Sequence, residues 1–303
     1  MKFGVREICD VVFKAKSKVK IGSLEFLPGQ PVLYIDTAKT STVEGAATTV
    51  YAQGGKGNSR LVAWEGEKTL TFTVEDALLS PIGFAVLSGA GLFNATAENK
   101  VYVHTTAKAF MDADGKIDLK DVIADDTFSE KSPVFVAKLD RGSISKMLTG
   151  FQYSKEEKTL TSTTAKAEGQ GDVFVDFYVE KDSGVTELVI DAGNFAGFYY
   201  VEASTLFRRE SDGVDMPAEI IIPNVKIQSN FTFTMASSGD PSTFTFTMDA
   251  FPGYTRFDRT KKLLCAIQII DEGAENKVEG VDSINNSADD EEIYPLEETE
   301  AEA

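Results

Sequence analysis

Few side chains in this sequence could do chemistry, and the first is the single histidine, His104. It lies in VYVHTTAKA, where alternation places it on one face of a strand with Tyr102 and Thr106. A hydrolytic triad or a histidine-rich zinc site needs an imidazole and partners at suitable spacing. The sequence offers no such partners, and no nucleophile, base and orienting group can be assembled from it. We therefore predict no catalytic residues and no enzyme activity.

One motif mimics a calcium-binding loop. FMDADGKIDLKD, residues 110–121, matches five positions of that loop with Asp112, Asp114, Gly115, Asp118 and Asp121. Position one should supply an oxygen ligand but is Phe110, and position twelve is an aspartate where the pattern has a bidentate glutamate. The sequence favours an Asp-Gly turn between a strand ending near Phe110 and the short run 116–119. We predict no metal ligands, and calcium binding by residues 112–121 stays open as the alternative.

Two other patterns suggest a ligand only superficially. QGGKGNSR, residues 53–60, lacks the four-residue spacer and the Lys-Ser/Thr ending of a phosphate-binding loop, so it favours a flexible backbone. Carboxylates occur close together, as at Glu65 and Glu67, but a glycosidase also needs carboxylates in unlike environments and aromatic sugar platforms. Trp64 is the single tryptophan. We predict no cofactor.

The two cysteines are far apart in the chain. Cys9 lies in REICDVVF and Cys265 in KKLLCAIQII, both apolar and strand-like. Buried free thiols are the expected state for a cytosolic protein, and a disulfide is the alternative.

Composition favours one large all-β domain or two smaller ones. The chain has 303 residues, 42% of them hydrophobic, with 21 phenylalanines and 24 glycines. No apolar run approaches the roughly 20 residues of a membrane span. The N-terminus MKFGVREICDVVF carries charges where a signal peptide would be apolar. These features predict a soluble protein synthesised in the cytoplasm and not inserted into a membrane.

The net charge of −18 is concentrated at the C-terminus. Residues 271–303 contain thirteen Asp or Glu and one Lys, a net charge of −12, which leaves −6 for residues 1–270. A segment so acidic and poor in apolar residues is predicted to be a flexible tail. It either solubilises the chain or folds against a partner subunit. The acidity also disfavours specific binding to nucleic acid, which needs clustered Lys and Arg.

The sequence FTFTMASSGDPSTFTFTMDAF, residues 231–251, is the clearest strand signal. Apolar residues alternate with threonine in both halves, so each half has one apolar and one polar face. Gly239 supplies a permissive backbone between them, and Pro241 cannot donate to a ladder. We predict a strand, a turn and a strand whose apolar faces carry Phe231, Phe233 and Met235, then Phe244, Phe246 and Met248.

Other strand-like runs recur along the chain and are bounded mostly by Gly, Pro, Asn or Asp, as in a sandwich or barrel. They are predicted at residues 31–35, 68–74, 101–109, 134–138, 173–180, 186–191, 197–203, 219–228 and 262–270.

One helix is well signalled, at residues 81–88. Ser80 is a suitable N-cap, Pro81 fits the first helical position, and Gly89 ends the segment. In contrast, residues 38–59 are rich in Thr, Ala and Gly and have little to bury. We predict a long, adaptable loop there, of the kind that contacts another chain.

Two segments resemble the major tail tube proteins of large tailed bacteriophages, especially contractile-tailed phages of Gram-positive hosts. They are TVYAQGGKGNSRLVAWEGEKTLTFTVEDALLSPIGFAVLSGAGL, residues 49–92, and PAEIIIPNVKIQSNFTFTMASSGDPSTFTFTMDAFPG, residues 217–253. Together they cover about a quarter of the chain, and the order of loop, strand, helix and late hairpin agrees with the family.

The resemblance implies a mainly β fold, a β-sandwich or half-barrel with one flanking α-helix. It implies a structural virion protein that self-assembles into hexameric rings, which stack into the tail tube, the conduit for DNA ejection. The sheets of six copies would join into an inner barrel. By position, residues 38–59 would be the contact arm between rings, residues 68–74 and 231–248 would belong to the barrel, and the helix would pack outside it.

The resemblance also implies partners beyond other copies of the chain. These are the tail sheath, baseplate, tape measure and tail terminator proteins, and DNA passes without specific binding along an acidic wall. Residues 1–270 are expected to form the tube-like β domain, with an inserted or elaborated β region at about 93–215, followed by the acidic tail at 271–303. The alternatives are a baseplate hub, tube initiator or tail terminator protein on a related fold, or a carbohydrate-binding β-sandwich.

Overall fold

Strands dominate the computed structural model, which describes residues 2–123, 127–131, 133–235, 237–238 and 242–270. The first ten strands are β1 Phe3–Val5, β2 Asp10–Ala15, β3 Val19–Ile21, β4 Leu24–Phe26, β5 Pro31–Ile35, β6 Ala38–Gly54, β7 Ser59–Asp76, β8 Gly91–Asn94, β9 Val101–Met111 and β10 Lys116–Asp118. The others are β11 Thr127–Phe128, β12 Phe135–Asp140, β13 Ser143–Leu148, β14 Gln152–Ser154, β15 Thr159–Thr161, β16 Gly171–Lys181, β17 Thr186–Val189, β18 Phe198–Arg209, β19 Asp215–Ile227, β20 Phe244–Ala250 and β21 Ala266–Ile269.

The main helix, α1, spans Pro81–Ser88 and begins and ends where the sequence predicts. The Ser80 side chain accepts a hydrogen bond from the Gly83 N–H at 2.9 Å, and Pro81 needs no such partner. Gly89 ends the helix in the left-handed conformation, with φ 74°. A four-residue helix, α2 Lys120–Ile123, and a 3₁₀ turn, Ala165–Glu168, are the other helical segments in the described ranges.

Nine strands form the main sheet, which is strongly curled. Its order is β5-β2-β18-β19-β20-β7-β6, with β1 beside β18 and β21 beside β19. The two end strands of this order, β5 and β6, are separated in the chain by only Asp36 and Thr37. The sheet must therefore curl until its ends approach each other, and the predicted mainly β half-barrel with one flanking helix is confirmed.

The core of the main sheet lies on the inner side of this curl. Alternation along β7 and β20 turns Phe72 and Phe246 inward, where both are fully buried. The Phe246 ring meets that of Phe13 from β2, at 6.0 Å between ring centroids. Residues 85–87 of α1 belong to the same buried cluster. The helix therefore covers the apolar face of the sheet, and the threonines of β7 and β20 face away from it.

A second sheet is built from residues 101–181. Its order is β13-β12-β16-β9-β10-β15-β14, with β11 beside β16, and β9 and β16 pair from Val101↔Lys181 to Met111↔Gly171. It has its own buried cluster, which includes Met111, Ile117 and Phe177. The antiparallel pair β8–β17 flanks the two ends of this segment, and β3–β4 forms a further two-stranded sheet. This second sheet falls inside residues 93–215, and its folding as an inserted unit stays a prediction.

The predicted strand at residues 231–235 is wrong, although β20 forms the second half of that pattern. The apolar alternation is used to pack on α1. The ring of Phe84 lies 4.9 Å from that of Phe231 and 5.3 Å from that of Phe233. The Phe233 ring also contacts Phe244, at 5.3 Å. The turn expected at Gly239 and Pro241 lies outside the described residues.

The predicted loop at residues 38–59 is also wrong. The segment forms β6 and the start of β7, which pair from Ala38↔Asp76 to Gly54↔Ser59. It is a long β-hairpin, because Thr and Val favour extended backbone even where nothing is buried.

Candidate assembly surfaces

The outer part of the β6–β7 hairpin extends beyond its pairing with β20. At its base, residues from Thr71 to Asp76 of β7 also pair with β20. Beyond Thr71, within the described residues, β6 is the sole strand paired with β7. We call residues 45–69 the arm. With about 3.3 Å per residue, it is about 30 Å long.

Both faces of the arm are exposed along nearly its whole length. Ala52 and Gly54 are half-buried, and the other residues of the arm are exposed. Val50 pairs with Trp64 and Ala52 with Val62, so one face carries adjacent apolar side chains. Val50 is 61% exposed and Trp64 55%. A two-stranded ribbon is marginally stable alone in water, and an exposed apolar patch indicates a protein contact.

The tip of the arm is the glycine-rich run of residues 53–60. Gly55 and Gly57 have φ of 80° and 88°, and Asn58 has φ 49°, so the turn needs left-handed backbone at three positions. The Asn58 N–H donates to the Gly55 carbonyl at 3.2 Å. Nearby, the Arg60 guanidinium lies 4.1 Å from the centre of the Tyr51 ring. The glycines therefore serve backbone geometry, and the predicted flexibility of this run stays a prediction.

The face of the main sheet opposite the core is polar where β6, β7 and β20 lie together. We call it the polar face; its residues are Thr40, Thr71, Thr73, Glu75, Thr245, Thr247 and Asp249. The Glu75 carboxylate accepts hydrogen bonds from the hydroxyls of Thr243 and Thr40, which lower its pKa. Asp249 accepts one from the Gln228 amide at 3.0 Å. The hydroxyls and carboxylates of the polar face therefore form hydrogen bonds with one another and with neighbouring side chains.

His104 lies on an exposed face of the second sheet. Its Nε2 is 2.9 Å from a carboxylate oxygen of Asp176, and its ring contacts that of Tyr178 at 5.3 Å. Asp176 is on β16 and approaches His104 only through the β9–β16 pairing, so sequence spacing could not reveal it. The predicted strand face of Tyr102, His104 and Thr106 is confirmed.

The expected Asp-Gly turn at residues 112–115 is confirmed between β9 and β10. The Asp112 carboxylate accepts hydrogen bonds from the N–H groups of Asp114, at 2.9 Å, and Lys116, at 2.8 Å. The Asp114 carboxylate pairs with Lys166 at 2.7 Å, and this contact lowers its pKa. Across the described ranges, no three His, Cys, Asp or Glu side chains are grouped so as to hold a metal ion.

Both cysteines are free thiols, Cys9 buried and Cys265 half-buried. Burial raises the pKa of Cys9, and it raises that of Cys265 to about 11. The prediction of buried free thiols is confirmed for Cys9, whereas Cys265 is a free thiol that is only partly buried. No helix in the described part of the chain is both long enough and apolar enough to span a membrane.

Comparison with known families identifies one match. The model of the YomU/Tube protein family matches residues 5–261, which include the arm, the second sheet and all of the main sheet except β21 and most of β1. Comparison with curated proteins gives no match. Because the family model covers well over half of the chain, this protein belongs to the YomU/Tube protein family, whose name indicates phage tube-like proteins.

Proposed function

We propose that this chain is the structural subunit of a phage tail tube. Copies join side by side into hexameric rings, and the rings stack into a hollow conduit for DNA ejection. The proposed setting is the virion of a contractile-tailed phage of a Gram-positive host. Tail sheath, baseplate, tape measure and tail terminator proteins are its proposed partners, and the chain has no enzymatic role.

The arm is the observation that supports self-assembly most strongly. It extends about 30 Å beyond the pairing of β7 with β20 and exposes Val50, Val62 and Trp64 on one face. Burying these side chains against an adjacent ring would remove apolar surface from water, worth about 25 cal/mol per Å². Because this contact is heterologous, it repeats from ring to ring and builds a tube.

Two short strands offer open edges for contacts within a ring. In the described residues, β1 pairs with β18 alone and β21 with β19 alone. Phe3 and Val5 on β1 and Ile267 on β21 are exposed beside these edges. Unpaired edges accept a strand from another chain. We assign them to the joining of sheets around the ring.

The polar face is the proposed wall of the conduit. It carries threonine hydroxyls and the carboxylates of Glu75 and Asp249. The chain as a whole has a net charge of −18. A wall of this sign repels phosphate and lets DNA pass without sticking.

The proposal is tested by assembly of the purified full chain with a weakened arm. Val50→Ser with Trp64→Ser should abolish stacking, measured by sedimentation velocity and electron microscopy, and leave the circular dichroism spectrum unchanged. Phe110→Ser with Phe135→Ser is the matched control, because these exposed side chains lie on the second sheet. Equal tube yield from the arm variant and the wild type would remove the arm from the interface.

Copy number in the virion separates this function from a baseplate hub, tube initiator or tail terminator protein. The major tube protein should be among the most abundant bands of purified particles. A band present in only a few copies would contradict the proposal.

A further inference from the structure

A basic, aromatic patch interrupts the acidic surface of this protein. Residues 251–262, which connect β20 to β21, contain four Lys or Arg residues and one Asp, a net charge of +3. Phe198, the first residue of β18, contacts Phe251 with ring centroids 5.6 Å apart. The Lys226 ammonium lies 5.3 Å from the centre of the Phe198 ring. We call residues 251–262 with Phe198 and Lys226 the basic aromatic surface.

The connection is held in place while its cations and rings stay exposed. Gly253 and Leu263 exchange two backbone hydrogen bonds, of 3.0 and 2.9 Å. The Asp258 carboxylate accepts hydrogen bonds from Thr260 within the connection. Phe257 is 96% exposed, and the Lys262 ammonium lies 5.5 Å from the centre of the Tyr254 ring. Phe198, Phe251 and Tyr254 are exposed as well, and a group of exposed aromatic side chains indicates a binding partner.

The C-terminal segment of the chain has the complementary chemistry. Residues 271–303 carry a net charge of −12. Their longest apolar run is IYPL, residues 293–296, between the acidic runs DDEE and EE. An apolar core flanked by carboxylates matches aromatic rings flanked by ammonium and guanidinium groups.

The last described residue, Ile270, and the Phe198–Lys226 pair of the basic aromatic surface lie toward opposite ends of β19. The described chain ends at Ile270, whose N–H donates to the Pro217 carbonyl near the start of β19. Phe198 pairs with Lys226 near the end of the same strand. Nine residues of β19 separate these points, about 30 Å. The strand order and pairing also direct the arm toward the end where Ile270 lies.

We propose that the acidic C-terminal segment of one copy binds the basic aromatic surface of the copy in the next ring, with residues 293–296 against its rings. The inference rests on the proposed stacking, because head-to-tail stacking brings opposite ends of neighbouring copies together. The 22 residues between Ile270 and this run span at most about 75 Å. That reach is more than twice the roughly 30 Å that separates Ile270 from Phe198 along β19 of one copy.

The surface favours this occupant over DNA. A chain with a net charge of −18 repels a polyanion at long range, whereas a tethered segment meets its site at high effective concentration. Duplex DNA also presents no apolar run to match Phe257.

The test is photocrosslinking between two co-expressed full-length chains that carry different tags. One chain has Tyr294 replaced by a photoreactive phenylalanine analogue. We expect a covalent product joining the two tags, with the adduct mapped to residues 251–262. Electron microscopy of the same samples scores assembly independently.

Charge variants make the test specific. Lys261→Glu with Lys262→Glu in the acceptor chain should lower the crosslinking yield about fivefold. Glu291→Lys with Glu292→Lys in the donor chain should restore it. Lys108→Glu with Lys155→Glu, exposed on the second sheet, is the matched control and should leave the yield unchanged.

The outcomes distinguish this contact from the tube itself. Tubes whose adducts lie elsewhere, or only within one chain, overturn the contact and leave the tube proposal standing. Monomeric particles with no product between chains overturn both. Binding of a DNA duplex that depends on Lys261 and Lys262 would assign the surface to nucleic acid and also overturn the contact.

Discussion

Gly115 shows how a single residue fixes the turn of the second sheet. Its φ is 74°, and an added Cβ would lie 2.3 Å from the Ser162 carbonyl oxygen. Gly115→Ala should lower the free energy of unfolding by more than about 1 kcal/mol, because the backbone must shift. Gly184→Ala is the matched control, with φ 71° and no atom within 4 Å. This substitution should lower the free energy of unfolding by about 1 kcal/mol, the cost of a left-handed conformation for alanine. Urea titrations measure both losses. Equal losses would contradict the steric argument.

Burial should make Cys265 a slow nucleophile. Its pKa is raised to about 11 from the ordinary value of 9.0. At pH 8 the thiolate fraction is then about 100-fold lower than that of an unperturbed thiol. Alkylation by iodoacetamide, followed by peptide mass spectrometry, should show a rate that keeps rising through pH 10. A rate that levels off near pH 9 would contradict the burial effect.

The same shift gives a direction for stability. The folded pKa of Cys265 exceeds the unfolded one, so the folded state binds the proton more tightly. The contribution of the protonated Cys265 thiol to the free energy of unfolding is therefore complete below about pH 9 and is lost as the pH rises toward 11. Thermal unfolding of the wild type should therefore lose stability over this window more steeply than Cys265→Ser does.

Among the elements, the sequence predicted best those with a local physical signal. Ser80, Pro81 and Gly89 define α1 because capping depends on neighbouring residues alone. The predicted strand at residues 231–235 was wrong because alternation shows only which side chains share a face. Here the shared apolar face packs against α1, and within the described residues the segment pairs with no strand. The predicted loop at residues 38–59 was wrong for the opposite reason. Both faces of the arm are exposed, so no period-two pattern marks it as strand.

The aromatic cluster on α1 should stabilise the fold measurably. Phe84 is 3% exposed and contacts the rings of Phe231 and Phe233. Phe84→Ala should cost about 3–5 kcal/mol through lost burial and the cavity left behind. Denaturant unfolding measures this loss. Phe257→Ala is the control, since that ring is 96% exposed and its removal should change stability little. A loss below about 1 kcal/mol for Phe84→Ala would show that the cluster does not hold the helix.

The arm tip can be altered without disturbing the arm itself. Gly54 has open space, with Leu61 Cδ1 at 3.7 Å as its near neighbour, whereas Gly55 needs φ 80°. Gly54→Trp should therefore block stacking while the chain stays folded, as measured by electron microscopy and circular dichroism. Gly55→Trp should also block stacking, and it should in addition strain the turn because Gly55 is in the left-handed conformation. An unchanged tube yield from Gly54→Trp would place the tip outside the contact.

At the scale of the whole molecule, composition predicted the β class but not the two sheets. The second sheet depends on pairs such as Val103↔Val179, 76 residues apart, which no local pattern specifies. The segment 38–59, predicted as a contact loop, supplies one strand of the arm and its tip, and its role as a contact stays a prediction. The exposed apolar face of the arm follows from register with residues of β7.

The acidic tail should be dispensable for folding and needed for stacking. Deleting residues 280–303 removes most of the acidic excess and the run IYPL but none of the described core. Thermal unfolding should change little, while tubes should shorten or dissociate into rings. Loss of soluble protein on truncation would show that the tail packs in the body of the fold.

The most direct measurement is electron cryomicroscopy of the purified full chain at high concentration. Our account predicts rings that stack into a hollow tube, with the polar face toward the lumen and the arm between adjacent rings. A strictly monomeric protein under these conditions, or a tube whose lumen is lined by the second sheet, would contradict it.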